Sequence, residues 1–380
     1  MPSLRVLVII SRPLMIRSNS GKEGQAHNGL IPISLPAIDI VRDGLRRTFE
    51  DNDIPVQVCY LPWARLGDIQ AALAERYDVV HMVAHGTENG YLLLETDDGL
   101  ADPVEPERFG LIMRHAGVQL AVLSTCFSGR IGRELRTAGI PNVIMVDEKY
   151  PMDARAEALF NRQFYARLTR GFRPSEAFQA GLNAVRSDAL FGDTAPPPRQ
   201  ELSGVEEPRY GERFTYDFSN DQALLHSVPE GGYVELRPVQ SLSKSPRPEV
   251  VVGREAVMVE IIRLLQDCRV VTLTGPGGIG KTTIARAVGF WYADRRRFRA
   301  GIVEVNATEA RNTHDLAQAF INTLGLSPEP HNPWGVIQAA LSHGRWLVLL
   351  DNADDVADGA TRIADSTIVR FGTHAGVADS

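Results

Sequence analysis

The chain has 380 residues, more than one ordinary core accommodates, and its 44% hydrophobic and 23% charged residues describe a soluble globular protein of two domains. A net charge of −7 lacks the basic footprint that nucleic acid attracts, so no nucleic-acid partner is expected. Three scattered cysteines, Cys59, Cys126 and Cys268, form neither a disulfide framework nor a zinc site and suit the reducing cytoplasm; with no opening secretory segment and no apolar run of about 20 residues, no membrane partner is expected either.

Arg5–Ser11 is a continuous apolar run of the kind a buried central strand needs, and a polar loop, Ser18–Gly29, follows it. Ile38–Glu50 has helical spacing with Ile40, Leu45 and Phe49 as its apolar positions. Strands are expected at Ile54–Tyr60, Val79–Ala84, Leu120–Ser124 and Asn142–Val146, and helices at Leu66–Glu75, Glu107–Ala116, Arg130–Ala138, Ala154–Thr169 and Pro174–Arg186. Tyr91–Glu95 followed by Asp97-Asp98-Gly99 reads as a hairpin. Strands alternating with helices imply an α/β layered fold with a largely parallel sheet, in which chemistry gathers at the carboxyl ends of the strands. His85 and Cys126 both fall at such ends.

Ala195-Pro196-Pro197-Pro198 breaks this pattern, residues 200–240 offer only short strand-like pieces that periodicity does not assign, and Ser241–Pro248 has linker composition. The expected organisation is a first domain over 1–195, a connecting segment over 196–248, and a second domain over 249–380. That second domain opens with Val251–Glu255 and a helix to about Leu265, then strands Val270–Thr274, Gly301–Val305 and Trp346–Leu350 alternate with helices Thr282–Tyr292, Leu316–Leu324 and Trp334–Leu341. The arginines Arg295, Arg296, Arg297 and Arg299 cluster after one of these helices and read as a solvated helix end.

Between the first of those strands and its helix lies Gly275-Pro-Gly277-Gly278-Ile-Gly280-Lys281-Thr282-Thr283, a phosphate-binding loop in its required context. Glycines let backbone N–H groups face the phosphates of ATP or ADP, and the helix N-terminus adds its positive end. Lys281 reaches the terminal phosphates, Thr282 offers a hydroxyl to Mg2+, and Thr283 is a further phosphate or capping contact. Trp346–Asp351, an apolar run ending in a carboxylate, places Asp351 as the second magnesium group. Asp354 or Asp355 could polarise an attacking water or simply open a helix.

Val252-Gly253-Arg254-Glu255, the phosphate loop and Leu349-Leu350-Asp351-Asn352 together resemble the STAND class of signalling ATPases, which includes NB-ARC domains. The resemblance implies that Gly253 and Arg254 contact the nucleotide, that ADP holds a closed state, and that ATP opens it for homo-oligomerisation. It also implies a sensor strand after Asp351, for which Ile368-Val369-Arg370 is the candidate. Phe371-Gly372-Thr373-His374 does not continue the pattern, and the class's remaining elements are expected to be truncated here.

Cys126 ends the segment Val122-Leu123-Ser124-Thr125-Cys126-Phe127-Ser128-Gly129, and His85 ends Val83-Ala84-His85-Gly86. A thiol nucleophile beside an imidazole base is the minimum of a cysteine peptidase, and two parallel strands ending side by side would bring the pair together. The N–H groups of Gly86 and Cys126 could then serve as an oxyanion hole. His81 is expected on the opposite sheet face and, with His115, Cys59 and Cys268, to be structural. Asp147 and Glu148 could favour a basic substrate side chain or be ordinary turn acids.

The stretch from about residue 55 to 187 resembles the CHAT family of caspase-like peptidases: the His-Gly pair with its acidic hairpin, Ser-Thr-Cys-Phe-Ser-Gly, Val143-Ile144-Met145-Val146, Asp153 and Phe164-Tyr165 carry the likeness. It implies a caspase-like α/β sandwich followed by a P-loop NTPase α/β domain. The function implied is a nucleotide-regulated cysteine endopeptidase acting on a protein substrate, of the sort found in bacterial defence or programmed-death signalling. A non-proteolytic signalling ATPase with an N-terminal docking module is the alternative.

Overall fold

The computed structural model describes residues 4–17, 29–33, 36–50, 55–147, 150, 152–193, 208–225, 233–235, 248, 251, 253–329, 331–352 and 367–372. Most of the Ser18–Gly29 loop, Ala195–Pro198, nearly all of Ser241–Pro248, and Glu148, Val252, Asp354, Asp355, Thr373 and His374 lie outside them. The chain divides into two compact units, one formed mainly by residues 33–238 with the first 22, the other mainly by residues 239–380.

In chain order the first unit contributes β1 (Leu4–Ile10) and β2 (Met15–Arg17); after β3 (Leu30–Pro32) come α1 (Pro36–Glu50), β4 (Val56–Leu61), α2 (Leu66–Ala72), β5 (Val79–Val83), β6 (His85–Gly86), β7 (Leu92–Glu95) and β8 (Ala101–Val104). There follow α3 (Pro106–Met113), β9 (Leu120–Ser124), α4 (Gly129–Thr137), β10 (Asn142–Val146), α5 (Ala154–Leu168), α6 (Pro174–Arg186), β11 (Phe214–Phe218) and β12 (Val234–Glu235). Seven strands form one sheet in the order β11-β10-β9-β5-β1-β4-β12. All its neighbours pair parallel except β10 and β11.

Both faces of this sheet are covered, which is why its central strands are apolar without alternation. Leu4, Val6, Val8 and Ile10 of β1 pack on one face with Ile38, Val41, Leu45 and Phe49 of α1 and with Phe160, Phe164, Phe178 and Leu182 of α5 and α6. Leu7 and Ile9 turn to the other face, where Ile69, Phe109, Met113, Ile131 and Leu135 of α2, α3 and α4 meet them. The result is a three-layer sandwich. The inward stripe of α1 therefore begins at Ile38 and Val41, while Ile40, expected among its apolar positions, is 41% exposed.

β6, β7 and β8 form a small antiparallel sheet. Its turn is the expected one: Thr96 Oγ1 bonds the Asp98 carboxylate and receives the Leu100 N–H, with Gly99 at φ 81°. Residues 214–218 and 234–235, unassigned from periodicity, carry the sheet past residue 195 at both edges. β11 runs antiparallel along β10, and the two-residue β12 lies along β4. Both pieces are short, and β11 is largely exposed, so neither leaves a strong hydrophobic signature.

The second unit contains α7 (Glu255–Asp267), β13 (Val270–Thr274), α8 (Lys281–Asp294), β14 (Gly301–Asn306), α9 (Thr313–Leu324), α10 (Pro333–Leu341), β15 (Trp346–Asp351) and β16 (Thr367–Gly372). Its strands form a parallel sheet in the order β13-β16-β15-β14. Phe320, Ile321, Ile337 and Leu341 of α9 and α10 close a core over Val303, Val305, Val348 and Leu350. The arginine cluster after α8 is not wholly solvated: Arg295 is buried, lies over the Trp291 ring at 3.9 Å and donates to the Trp291 carbonyl at 3.0 Å. Cation–π stacking and a C-terminal carbonyl compensate its charge there.

Candidate functional site

In the first unit, β5 and β9 are hydrogen-bonded parallel neighbours with Val83 opposite Ser124. His85 and Cys126 each lie two residues beyond those partners, so the sheet delivers both to one edge. The contact is close at the backbone. Ala84 N–H donates to the Ser124 carbonyl at 3.3 Å, and a Cβ built on Gly86 would collide with the Cys126 carbonyl oxygen and come within 2.9 Å of Thr125 Cγ2. Only glycine allows the two turns to approach so nearly. His85 and Gly86 are further held by pairing to Leu93 and Leu92 of the hairpin.

The cysteine turn is pinned on its other side. Phe127 adopts a left-handed φ of 57°, a conformation rare for a bulky side chain, and it redirects the chain into α4. Ser128, fully buried, receives the Val146 N–H on its Oγ at 2.8 Å, fastening the turn to β10. Burial pushes the Cys126 thiol above its usual range and the charge of Glu157 adds to this, while a backbone hydrogen bond from Met152 and the Arg213 guanidinium pull the other way. Burial thus favours the protonated thiol at Cys126.

Beneath this turn lies a buried polar chain that sequence reading left out. His81 Nε2 meets Ser124 Oγ at 2.6 Å and His81 Nδ1 meets the Tyr165 hydroxyl at 2.8 Å, while Glu157 is buried on the same helix as Tyr165. Burial holds His81 neutral, its pKa lowered to about 3, and raises Glu157 to about 7. The expectation that His81 points away from the site is corrected: it bonds the strand that carries Cys126, two residues short of it. Glu157 and Tyr165 stand eight residues apart on α5, a polar stripe in an apolar helix face. That spacing is the signal that could have revealed them.

Asp147 offers its N–H to the Arg213 carbonyl at 2.8 Å. A cleft of about 410 Å3 is lined by Glu88, Tyr91, Phe127, Arg130 and Arg133, Phe127 being the residue that follows Cys126. A larger groove of about 600 Å3 lies instead between α1 and α5, bordered by Asp43, Arg47, Arg155 and Phe191. The first includes the neighbour of Cys126, and the second contains neither His85 nor Cys126. Among the other expected structural residues, Cys59 is buried and Cys268 exposed, and His115 has a left-handed φ of 64°.

In the second unit, Gly275–Gly280 joins β13 to α8, with Gly278 and Gly280 at φ 77° and 93°. A Cβ on Gly277, Gly278 or Gly280 would meet nothing within 4 Å. The loop is therefore an open backbone cradle at a helix N-terminus, suited to phosphate. Lys281 Nζ crosses it to the carbonyls of Gly275 and Pro276 at 2.8 and 3.1 Å. Thr282 Oγ1 lies 3.2 and 3.0 Å from the two Asp351 carboxylate oxygens, bringing together the two groups expected for magnesium. Arg254 reaches the carbonyl of loop residue Ile279 at 3.4 Å, and Gly253, at φ 73°, turns the chain before it. Thr283 is exposed on the first turn of α8. Arg286 and Glu304, not expected from the sequence, make a bidentate pair one turn further along. This donor set fits a nucleoside triphosphate with Mg2+.

Residues 7–195 match the CHAT domain and residues 262–372 match an AAA domain. An uncharacterized protein of Mycobacterium tuberculosis is 30% identical over 157 residues, 40% of this chain and 38% of that protein, so the chain spans well under half the length of the mycobacterial relatives it matches. A nucleotide-binding leucine-rich repeat (NLR)-like protein of Hyaloscypha variabilis is 30% identical over 28% of this chain and 12% of its own length. The disease resistance protein RPP2A of Arabidopsis thaliana is 29% identical over 32% of this chain and 10% of its length. Among solved structures, the Aeropyrum pernix ORC1 protein in complex with DNA is 22% identical over 35% of this chain and 42% of that one, with a TM-score of 0.30, too low to carry an argument. With both sequence regions matched, and an α/β sandwich and a phosphate loop seen in the fold, the chain belongs to the proteins that join an N-terminal CHAT domain to a P-loop ATPase domain of the AAA type.

Proposed function

We propose that this chain is a nucleotide-regulated cysteine endopeptidase of a signalling or defence system, with Cys126 as nucleophile and His85 as base. The observation that carries the reading is the pairing of β5 with β9, which ends both strands at one edge with the Gly86 backbone against the Cys126 carbonyl. His85 takes the thiol proton as sulfur attacks a peptide carbonyl and then returns it to the leaving amine. The N–H groups of Gly86 and Cys126 are the candidates for receiving the oxyanion. A thiol raised by burial stays quiet until substrate and imidazole engage it, which suits an enzyme held in reserve.

The ATPase domain supplies the control in this reading. Gly253, Arg254, Gly275, Gly277, Gly278, Gly280, Lys281 and Thr283 bind ATP or ADP, and Thr282 and Asp351 hold Mg2+, which when bound neutralises phosphate charge. The STAND resemblance and the NLR-like relative support exchange of ADP for ATP as the trigger for homo-oligomerisation.

The test is an electrophilic peptide probe with and without ATP and magnesium, the adduct located by mass spectrometry. Labelling at Cys126 that is lost in His85→Ala supports the dyad. The raised Cys126 pKa also suits a second reading, a docking module with an inert thiol, and a folded protein unlabelled at Cys126 in every nucleotide state would establish that one instead.

A further inference from the structure

Arg213, at the start of β11, carries a full charge yet exposes only 2% of its surface. Burying a guanidinium is costly unless the surroundings compensate it. Here its Nε–H donates to the Pro208 carbonyl at 3.0 Å, and the cation lies 4.5 Å from the Tyr210 ring and 5.6 Å from that of Tyr150. Its backbone is engaged as well. The Arg213 carbonyl accepts the Asp147 N–H at 2.8 Å, one step beyond the pairing of Phe214 with Val146. Val146 in turn gives its N–H to Ser128 Oγ at 2.8 Å, and Ser128 closes the turn that begins at Cys126. Two hydrogen bonds therefore link the start of β11 to the cysteine turn by way of the end of β10. Tyr150 lies in the connection that leaves β10, two residues before Met152, whose backbone favours the ionised thiol of Cys126.

We propose that Arg213 is a positioning residue for Cys126: it clamps Tyr150 and Tyr210 where β10 ends and so fixes the turn that carries the nucleophile. This rests on the reading of Cys126 as nucleophile. Arg213 lies beyond residues 7–195, so a segment outside the CHAT match finishes the site. A packing role alone would be served by an apolar side chain, which costs no charge desolvation. The guanidinium does what such a side chain would not. It binds a carbonyl, lies against two rings, and its positive charge works against burial at the thiol. The opposite end of β11 is fastened separately: Asp217, paired with Val143, forms an ion pair with Arg136 of α4 at 3.0 Å. Of the two fastenings, the one at Arg213 stands at the sheet edge where β5 and β9 deliver His85 and Cys126.

The test is kinetic, in the full chain with ATP and magnesium. Labelling of Cys126 by the electrophilic peptide probe is followed by mass spectrometry over a range of probe concentrations, with the melting temperature measured alongside. Arg213→Met, similar in length but uncharged, should cut the saturated rate by about 10-fold or more and leave the half-saturating concentration little changed, since a misplacement of the order of 1 Å costs a reacting pair about 100-fold. Arg213→Lys, which keeps a cation against the rings, should bring the rate back to within about 3-fold of wild type. Asp217→Asn, which loosens the same strand at its other end, should label as wild type whatever its melting temperature. Tyr210→Leu removes the nearer ring and should repeat the loss of rate, which keeps the test decisive where Arg213→Met does not fold. A folded Arg213→Met that labels within about 2-fold of wild type, or an Asp217→Asn that loses as much rate, overturns the proposal. If the wild type labels through His85 and Arg213→Met labels equally, this proposal falls alone. A folded wild type left unlabelled in every nucleotide state sinks the peptidase reading and this one with it.

Discussion

The Thr282 hydroxyl and the Asp351 carboxylate, 69 residues apart in the chain, are hydrogen-bonded at the mouth of the phosphate loop. The pair forms because α8 and β15 converge there, and it pre-sets the two groups that magnesium needs. Asp351→Asn should weaken magnesium-dependent binding of a fluorescent ATP analogue by about 10- to 100-fold, with a much smaller effect on binding in EDTA. Thr282→Ser, which keeps the hydroxyl, should bind as wild type.

Lys281→Ala should abolish the nucleotide-induced rise in melting temperature. In the wild type, ATP at a hundred times its dissociation constant stabilises the fold by about 2.7 kcal/mol, which differential scanning fluorimetry reads directly. An unchanged shift in the variant would remove Lys281 from the phosphate site.

Gly86→Ala should cut the rate of Cys126 labelling by about 10²-fold, since a displacement of the order of 1 Å disables a reacting pair. The new methyl meets a backbone carbonyl, which has no rotamer to escape by. Intact labelling in the variant would show that the two turns are looser than they stand here.

Two other glycines separate packing from propensity. A Cβ at Gly181 would sit 2.6 Å from the Phe160 ring, which is stacked on Phe214 at 4.2 Å and edge-on to Phe178, so it has nowhere to go. Gly181→Ala should destabilise by about 1–3 kcal/mol despite the better helix former. At Gly132 the obstacle is the sulfur of Met145, the far part of a flexible side chain. Gly132→Ala should be neutral, or gain up to about 1 kcal/mol, in chemical denaturation.

Stability should depend on pH through two buried groups with opposite signs. Glu157 rises from 4.5 to about 7 on folding, so its contribution is full below the lower value and is lost as pH climbs through the upper. His81 falls from 6.5 to about 3, so its contribution is full above the upper value and is lost as pH drops toward the lower. Glu157→Gln should gain melting temperature over wild type only above about pH 5, with the gain levelling off above about pH 7. An equal difference at acid pH would mean that packing, not charge, dominates.

What the sequence made legible was local. The phosphate loop, its flanking strand and helix, and Asp351 at a strand end are each read from adjacent residues, as are His85 and Cys126. The α/β sandwich and the P-loop sheet follow from continuous apolar runs between amphipathic helices. What stayed hidden was assembled across the fold. Tyr165 meets His81 only because α5 returns over β5, and Arg286 meets Glu304 only because α8 lies on β14. Ile40 was misplaced because a single helix turn leaves two registers for an apolar stripe, and the core chose Ile38 and Val41. β11 and β12 escaped notice because edge strands this short have too few inward residues to show a period.

Among the described residues β13, which leads into the phosphate loop, and β15, which ends at Asp351, are not paired with each other; β16, which follows both in the chain, is hydrogen-bonded to both. As the chain leaves the ribosome, residues 270–352 can form their helices, yet the sheet stays in two pieces until residues 367–372 emerge and slot between them. Nucleotide capture is thereby deferred until nearly a hundred residues after its loop has been made. Under the proposed function, a nascent chain would stay inactive until that strand is in place.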